Sequence, residues 1–170
     1  MKSRIYHTES EDETIALGET LAAELPHSAV VLLIGQLGAG KTTLAKGIVK
    51  GLGAAAHDDV SSPTFTLIHE YSLLANARGS VGAVLSHDRE GVVVYHIDLY
   101  RLDTPAQVAT LGLEEIFDRR AVVLIEWGER FPELMPADRI EIRLRATEEN
   151  SREIELRSTM ESTLPLLGSE

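Results

Sequence analysis

Lys41, Thr42, Asp98 and Glu126 are the residues whose types and settings suit chemistry on a phosphate. Lys41 and Thr42 stand in the run GQLGAGKTTLAKG at 35–47. There Gly35, four residues, Gly40, Lys41 and Thr42 satisfy the phosphate-binding loop pattern. Glycine admits backbone angles that crowd a side chain, and it lets the main chain approach an anion closely. Amide hydrogens along Gly35, Gln36, Leu37, Gly38, Ala39 and Gly40 then point into one hollow, beside the positive end of a helix starting near Lys41. Lys41 would set a full charge against the outer phosphates. The Thr42 hydroxyl would hold a Mg²⁺ that bridges phosphate oxygens, and Thr43 would also face the phosphates. A strand-to-helix turn with incidental glycines would need none of this order.

A nucleotide site also calls for an anion to organise the metal, and often another to position water. Glu126 ends AVVLIE and Asp98 sits in VVVYHIDLY, each following an apolar run. Ligands of open α/β sheets collect at the carboxyl ends of strands, so both acids can reach the phosphates. Read singly, either is often just a helix cap or a solvated charge. Trp127, the only tryptophan, is core filler or a wall of the nucleotide pocket. SSPTFTL at 61–67 is a loop feeding a strand, or a switch-like segment in which Thr64 senses metal or terminal phosphate. The six histidines, His7, His27, His57, His69, His87 and His96, show no metal-ligand spacing and read as structural or surface residues.

These groups need a scaffold, and the hydrophobic pattern supplies one. Val30–Ile34 and Ala121–Ile125 are continuous apolar runs, as expected of strands covered on both faces. Ser3–Thr8, Thr64–Tyr71 and Val92–Leu99 are further strands. Arg139–Arg145 and Arg152–Arg157 alternate charged and apolar residues, as a half-exposed hairpin turning at Thr147–Ser151 would. Ser10 and Glu13 have capping-box spacing ahead of a helix that Pro26 closes; Lys41–Leu52 is helical with Gly53 as its stop; Thr104, Pro105 and Gln107 start another helix. The sum is an α/β fold, a three-layer sandwich of the P-loop NTPase type with a mixed central sheet. A single nucleotide-binding domain is expected over 1–158. Within it 73–91 is a surface insertion, and 159–170 is a loose tail.

With 16 Lys and Arg against 27 Asp and Glu, the net charge of −11 makes strong direct tRNA binding by the chain alone unexpected. There are no cysteines, which excludes disulfides and thiolate metal sites and fits a reducing compartment. No apolar stretch approaches the ~18 residues of a membrane span, and MKSRIYHTESEDE lacks an apolar signal segment. A cytoplasmic protein is the expectation.

Five segments in order resemble one family, the TsaE (YjeE) ATPases of bacterial tRNA modification. They are GQLGAGKTTLAKGIVKGLG at 35–53, SPTFTLIHEY at 62–71, YHIDLYRL at 95–102, LGLEEIF at 111–117 and IEWGER at 125–130. The loop alone is common to many proteins; the other segments are more specific. The resemblance implies binding and slow hydrolysis of ATP with Mg²⁺, in support of N6-threonylcarbamoyladenosine formation on tRNA. It implies TsaD and TsaB as partners, whose complex the ATPase would reset or regulate. By residue match Lys41 and Thr42 bind phosphate and metal, Glu126 acts at the metal, and Asp98, Thr64 and Trp127 are the other functional positions. Gln36 stands where many relatives carry an acid, and 73–91 is longer than their usual connection. Two other readings stay open: a small-molecule kinase, for which Arg78 and Arg89 would have to serve a lid, and a nucleotide-gated binding module with negligible turnover. No Asn-Lys-x-Asp run is present to read guanine.

Overall fold

The computed structural model describes residues 3–55, 57–72 and 93–159. The expected insertion at 73–91, with Arg78 and Arg89, lies outside the described residues, as does the tail beyond Thr159.

Seven strands form one sheet: β1 (Ser3–Thr8), β2 (Ala29–Ile34), β3 (Ile68–Ser72), β4 (Val93–Asp98), β5 (Ala121–Glu126), β6 (Ile140–Ala146) and β7 (Arg152–Ser158). Their spatial order is β1-β7-β6-β2-β5-β4-β3. The four central strands, β6, β2, β5 and β4, run parallel, while β3, β7 and β1 join antiparallel at the two edges. This is the mixed α/β sheet that the pattern predicts.

Helices cover both faces. On one side lie α1 (Glu11–Glu24) and α2 (Lys41–Gly51). They pack over Val31, Leu33, Val122, Leu124, Ile140 and Ile142, all buried in one cluster. On the other lie α3 (Pro105–Ala109) and α4 (Leu113–Phe117), over Val30, Leu32, Tyr95, Ile97, Val123 and Ile125. The alternation along each strand feeds both layers, which is why β2 and β5 are apolar at nearly every position.

The helix starts follow the expected chemistry. Ser10 Oγ accepts from Glu13 N–H at 3.1 Å, and the Glu13 carboxylate reaches back to Glu9 N–H at 2.7 Å. Thr104 and Gln107 form a full capping box, with Pro105 in the first turn. The α1–α2 seam is tighter than an ordinary helix pair. A Cβ on Gly47 would lie 2.1 Å from Ile15 O and 3.0 Å from Gly18 Cα, so only glycine lets the two backbones touch there.

One expected strand is corrected. The segment 64–71 is not extended throughout: residues 64–66 form a turn and β3 begins at Ile68. Leu67 N–H closes back on Pro63 O at 2.6 Å, and Leu67 takes a left-handed φ of +66°. A proline followed by hydroxyl-bearing residues curls before it extends. Asp98 N–H then donates to Leu67 O at 2.9 Å, which docks this turn against the end of β4.

Candidate active site

The loop between β2 and α2 lies at the carboxyl edge of the parallel strands, beside the ends of β4 and β5. Gly38 and Gly40 adopt φ of +79° and +100°. An added Cβ at Gly38 would meet nothing within 4 Å, so the backbone angle and not crowding calls for glycine there. Gly40 caps α2 and no side chain fills the cap. The first-turn amides of an 11-residue helix are thereby left for an anion.

Lys41 is 4% exposed. Its Nζ donates to Gly35 O at 2.7 Å and Gln36 O at 2.9 Å, and it lies 4.2 Å from the centroid of the Trp127 ring. Burial holds the ammonium pKa below its usual 10.5, against the opposing pull of Glu126, Glu129 and Asp98. A cation stripped of water and held by two neutral carbonyls is poised to gain from a closer anion.

The two strand-end acids come together. Asp98 and Glu126 are register partners on β4 and β5, each 3% exposed. Thr42 Oγ1 donates to Glu126 Oε1 at 2.9 Å, which joins the loop to β5. Asp98 Oδ2 accepts from Ser62 Oγ at 2.9 Å and Thr64 Oγ1 at 2.8 Å, while Oδ1 accepts from Tyr100 N–H at 2.9 Å. The turn at 64–66 docks this segment against the end of β4, where Ser62 and Thr64, two residues apart, both reach the same oxygen of Asp98. Trp127 holds a left-handed φ of +66° directly after Glu126. Such backbone costs a non-glycine residue roughly 1–2 kcal/mol. Here it accompanies an indole that faces Lys41 on one contact and Tyr100 on another, with ring centroids of the aromatic pair 5.2 Å apart.

These groups border a cleft of about 340 Å³. Leu37, Gly38, Gly40, Lys41, Thr42 and Thr43 line its loop side; Thr64, Asp98, Glu126 and Trp127 line the facing side. Of the loop residues expected at the ligand, Gly35, Gln36 and Ala39 do not line the cleft. The Ala39 methyl turns into the core, and Gly35 and Gln36 present carbonyls to Lys41.

Four contributors escaped the sequence reading. Ser62 and Tyr100 hold Asp98, as described. Arg152, the first residue of β7, lines the cleft and donates to Gly38 O at 3.4 Å. His96, fully buried, places Nε2 2.8 Å from Glu126 Oε1. For His96 a signal did exist: in VVVYHIDLY, period-two alternation puts Val94, His96 and Asp98 on one face of β4.

The donor set fits a hard divalent cation with a polyphosphate. Thr42, Asp98 and Glu126 offer oxygen ligands of the kind Mg²⁺ takes. Among the described residues no three His, Cys, Asp or Glu side chains gather into a metal cage. Mg²⁺ commonly relies on one or two carboxylates completed by phosphate and water.

The family profile described as threonylcarbamoyl adenosine biosynthesis protein TsaE matches residues 8–154. The tRNA threonylcarbamoyladenosine biosynthesis protein TsaE of Bacillus subtilis is 36% identical over 155 residues, covering 91% of this chain and 85% of the relative. Its counterpart from a Nostoc species is 41% identical over 147 residues, covering 84% and 75%. The crystal structure of Bacillus subtilis YdiB superposes with a TM-score of 0.68 at 30% identity, covering 95% of this chain and 89% of that one.

Proposed function

This chain belongs to the TsaE family, whose members serve tRNA threonylcarbamoyladenosine biosynthesis, and on that premise we propose that its cleft binds ATP with Mg²⁺ and hydrolyses it slowly. The hydrolysis would regulate or reset a TsaD–TsaB complex that carries out the transfer to tRNA. The observation that carries the nucleotide reading is the buried Lys41 ammonium, held by two carbonyls of the glycine loop in a cleft that two buried carboxylates also line.

Each residue has a role in that reading. Main-chain amides of the loop and of the first turn of α2 receive the phosphates, and Lys41 moves its ammonium from two carbonyls to a phosphate oxygen. Arg152 adds a second cation beside Gly38. Mg²⁺, when bound with the nucleotide, neutralises charge on the outer phosphates. Thr42 and Glu126 are the groups placed to hold it. Asp98 and Glu126 are the groups placed to orient water, and Thr64, bonded to Asp98, reports whether the terminal phosphate is there. Trp127 and Tyr100 wall the entrance.

Calorimetry with ATP in magnesium and in EDTA tests the binding step, and phosphate release with and without the partner proteins tests turnover. No heat with any purine triphosphate would end the reading. Binding with no phosphate release in either setting would leave the nucleotide-gated module, and transfer of phosphate to a metabolite would favour the kinase.

A further inference from the structure

Glu126 has one carboxylate oxygen engaged twice. Thr42 Oγ1 and His96 Nε2 both lie on Oε1, at 2.9 and 2.8 Å. Among the described residues no hydrogen bond ends on Oε2, and Glu126 borders the cleft. The carboxylate is thus divided into an anchored oxygen and an available one.

The two anchors are not equivalent. The Thr42 hydroxyl hydrogen turns about the Cβ–Oγ1 bond, and the hydroxyl is the group that a cation in the cleft would claim. His96 sits on β4, whose backbone is paired to β5 in register, and it is 0% exposed. Once Thr42 turns away, His96 is the donor still fixed on Oε1.

Which ring nitrogen has an acceptor is set by its surroundings. His96 Nδ1 is buried and without a partner. A proton there would be an orphaned donor in an apolar layer that includes Val94, Val122 and Leu124. A proton on Nε2 meets Oε1 directly. A ring with its single proton on Nε2 satisfies the carboxylate and leaves only a bare nitrogen lone pair unmatched.

Resting on the ATPase reading above, we propose that His96 is a positioning residue: its Nε2–H pins Oε1 of Glu126, so that Oε2 is presented to the cation or water at the terminal phosphate. The histidine touches no substrate. It sets the rotamer of the acid that does, as the partner behind a metal ligand commonly does.

The test uses the full-length protein. Nitrogen-15 NMR of histidine-labelled protein, with the His96 signals assigned by their loss in His96→Gln, should show a proton on Nε2. A ring whose Nε2 carries no proton overturns the proposal, whether or not the protein turns over ATP. In kinetics, His96→Leu should lower kcat and the magnesium-dependent part of ATP affinity by about 10- to 100-fold, the usual effect of removing such a partner. ATP affinity in EDTA should stay at the wild-type value. Glutamine sets an amide N–H where Nε2 was, so His96→Gln should recover most of both losses. Wild-type kcat in His96→Leu refutes the role. So does a His96→Gln protein that melts like the wild type yet turns over as slowly as His96→Leu. If the wild type binds no nucleotide at all, the ATPase reading fails by itself, and the ring signal still decides whether His96 donates to Glu126.

Discussion

Lys41 concentrates the chemistry of the cleft in one side chain. Lys41→Ala should weaken triphosphate binding by about 10-fold or more, the loss expected of a charge-assisted contact, while the melting temperature stays close to wild type. Calorimetry and a thermal melt read the two effects separately. Burial lowers the Lys41 pKa, so ATP affinity should fall as pH rises, beginning below the usual 10.5. Stability without ligand should move the other way. Between the lowered value and 10.5 the unfolded chain keeps a proton that the folded chain has released, so the folded state gains as pH climbs through that window. A pH series of binding isotherms and of denaturant melts checks both signs. Glu126→Gln should keep nucleotide but slow phosphate release by about 100-fold or more, if the acid positions or deprotonates water. Lys41, Thr42, Asp98 and Glu126 were legible because motif spacing and strand ends announce them. Ser62, Tyr100 and Arg152 were not, since each reaches the site through a fold that only strand order and turn geometry define. His96 shared a predicted face with Asp98, but its pairing with Glu126 needs β4 beside β5, which no local pattern states.

The helix that follows the glycine loop, α2, is backed by α1 across a seam of glycines. Gly47→Ala should destabilise the protein by about 1–3 kcal/mol through overpacking, even though alanine favours a helix by nearly 1 kcal/mol over glycine. The reason is that the clash is with Ile15 O, a backbone atom that cannot swing aside. Gly38→Ala meets no atom within 4 Å, so its cost is confined to the left-handed backbone, roughly 1–2 kcal/mol. Melting curves of the two variants rank the effects. Most element boundaries were readable from periodicity: β2, α2, β5 and the β6–β7 hairpin fall within a residue or two of expectation. Periodicity does not mark the short α4, because five residues do not complete a repeat on which it can act. The start of β3 was misplaced because apolar and hydroxyl residues in SSPTFTL alternate like a strand, while Leu67 takes a left-handed angle that composition does not signal.

Over the whole molecule, acidity outweighs any local basic group. At a net charge of −11 the chain alone should barely retain tRNA at about 0.15 M salt, and what binding there is should vanish as salt rises. Filter binding across a salt series measures this, and tight retention at physiological salt would contradict it. Among the described residues no helix is long and apolar enough to cross a membrane. The sheet order explains why acids far apart in sequence lie together: β2 lies between β6 and β5, and β4 follows β5, so the loop after β2 faces the ends of both acid-bearing strands. The molecule also contains a single indole, resting against the Lys41 ammonium at the cleft. Under excitation at the red edge, where tyrosine does not absorb, its ultraviolet emission comes from one spot, the spot that matters. Titrating nucleotide into unlabelled protein should change the intensity or colour of that glow, giving each occupied state an optical signature without any engineered dye.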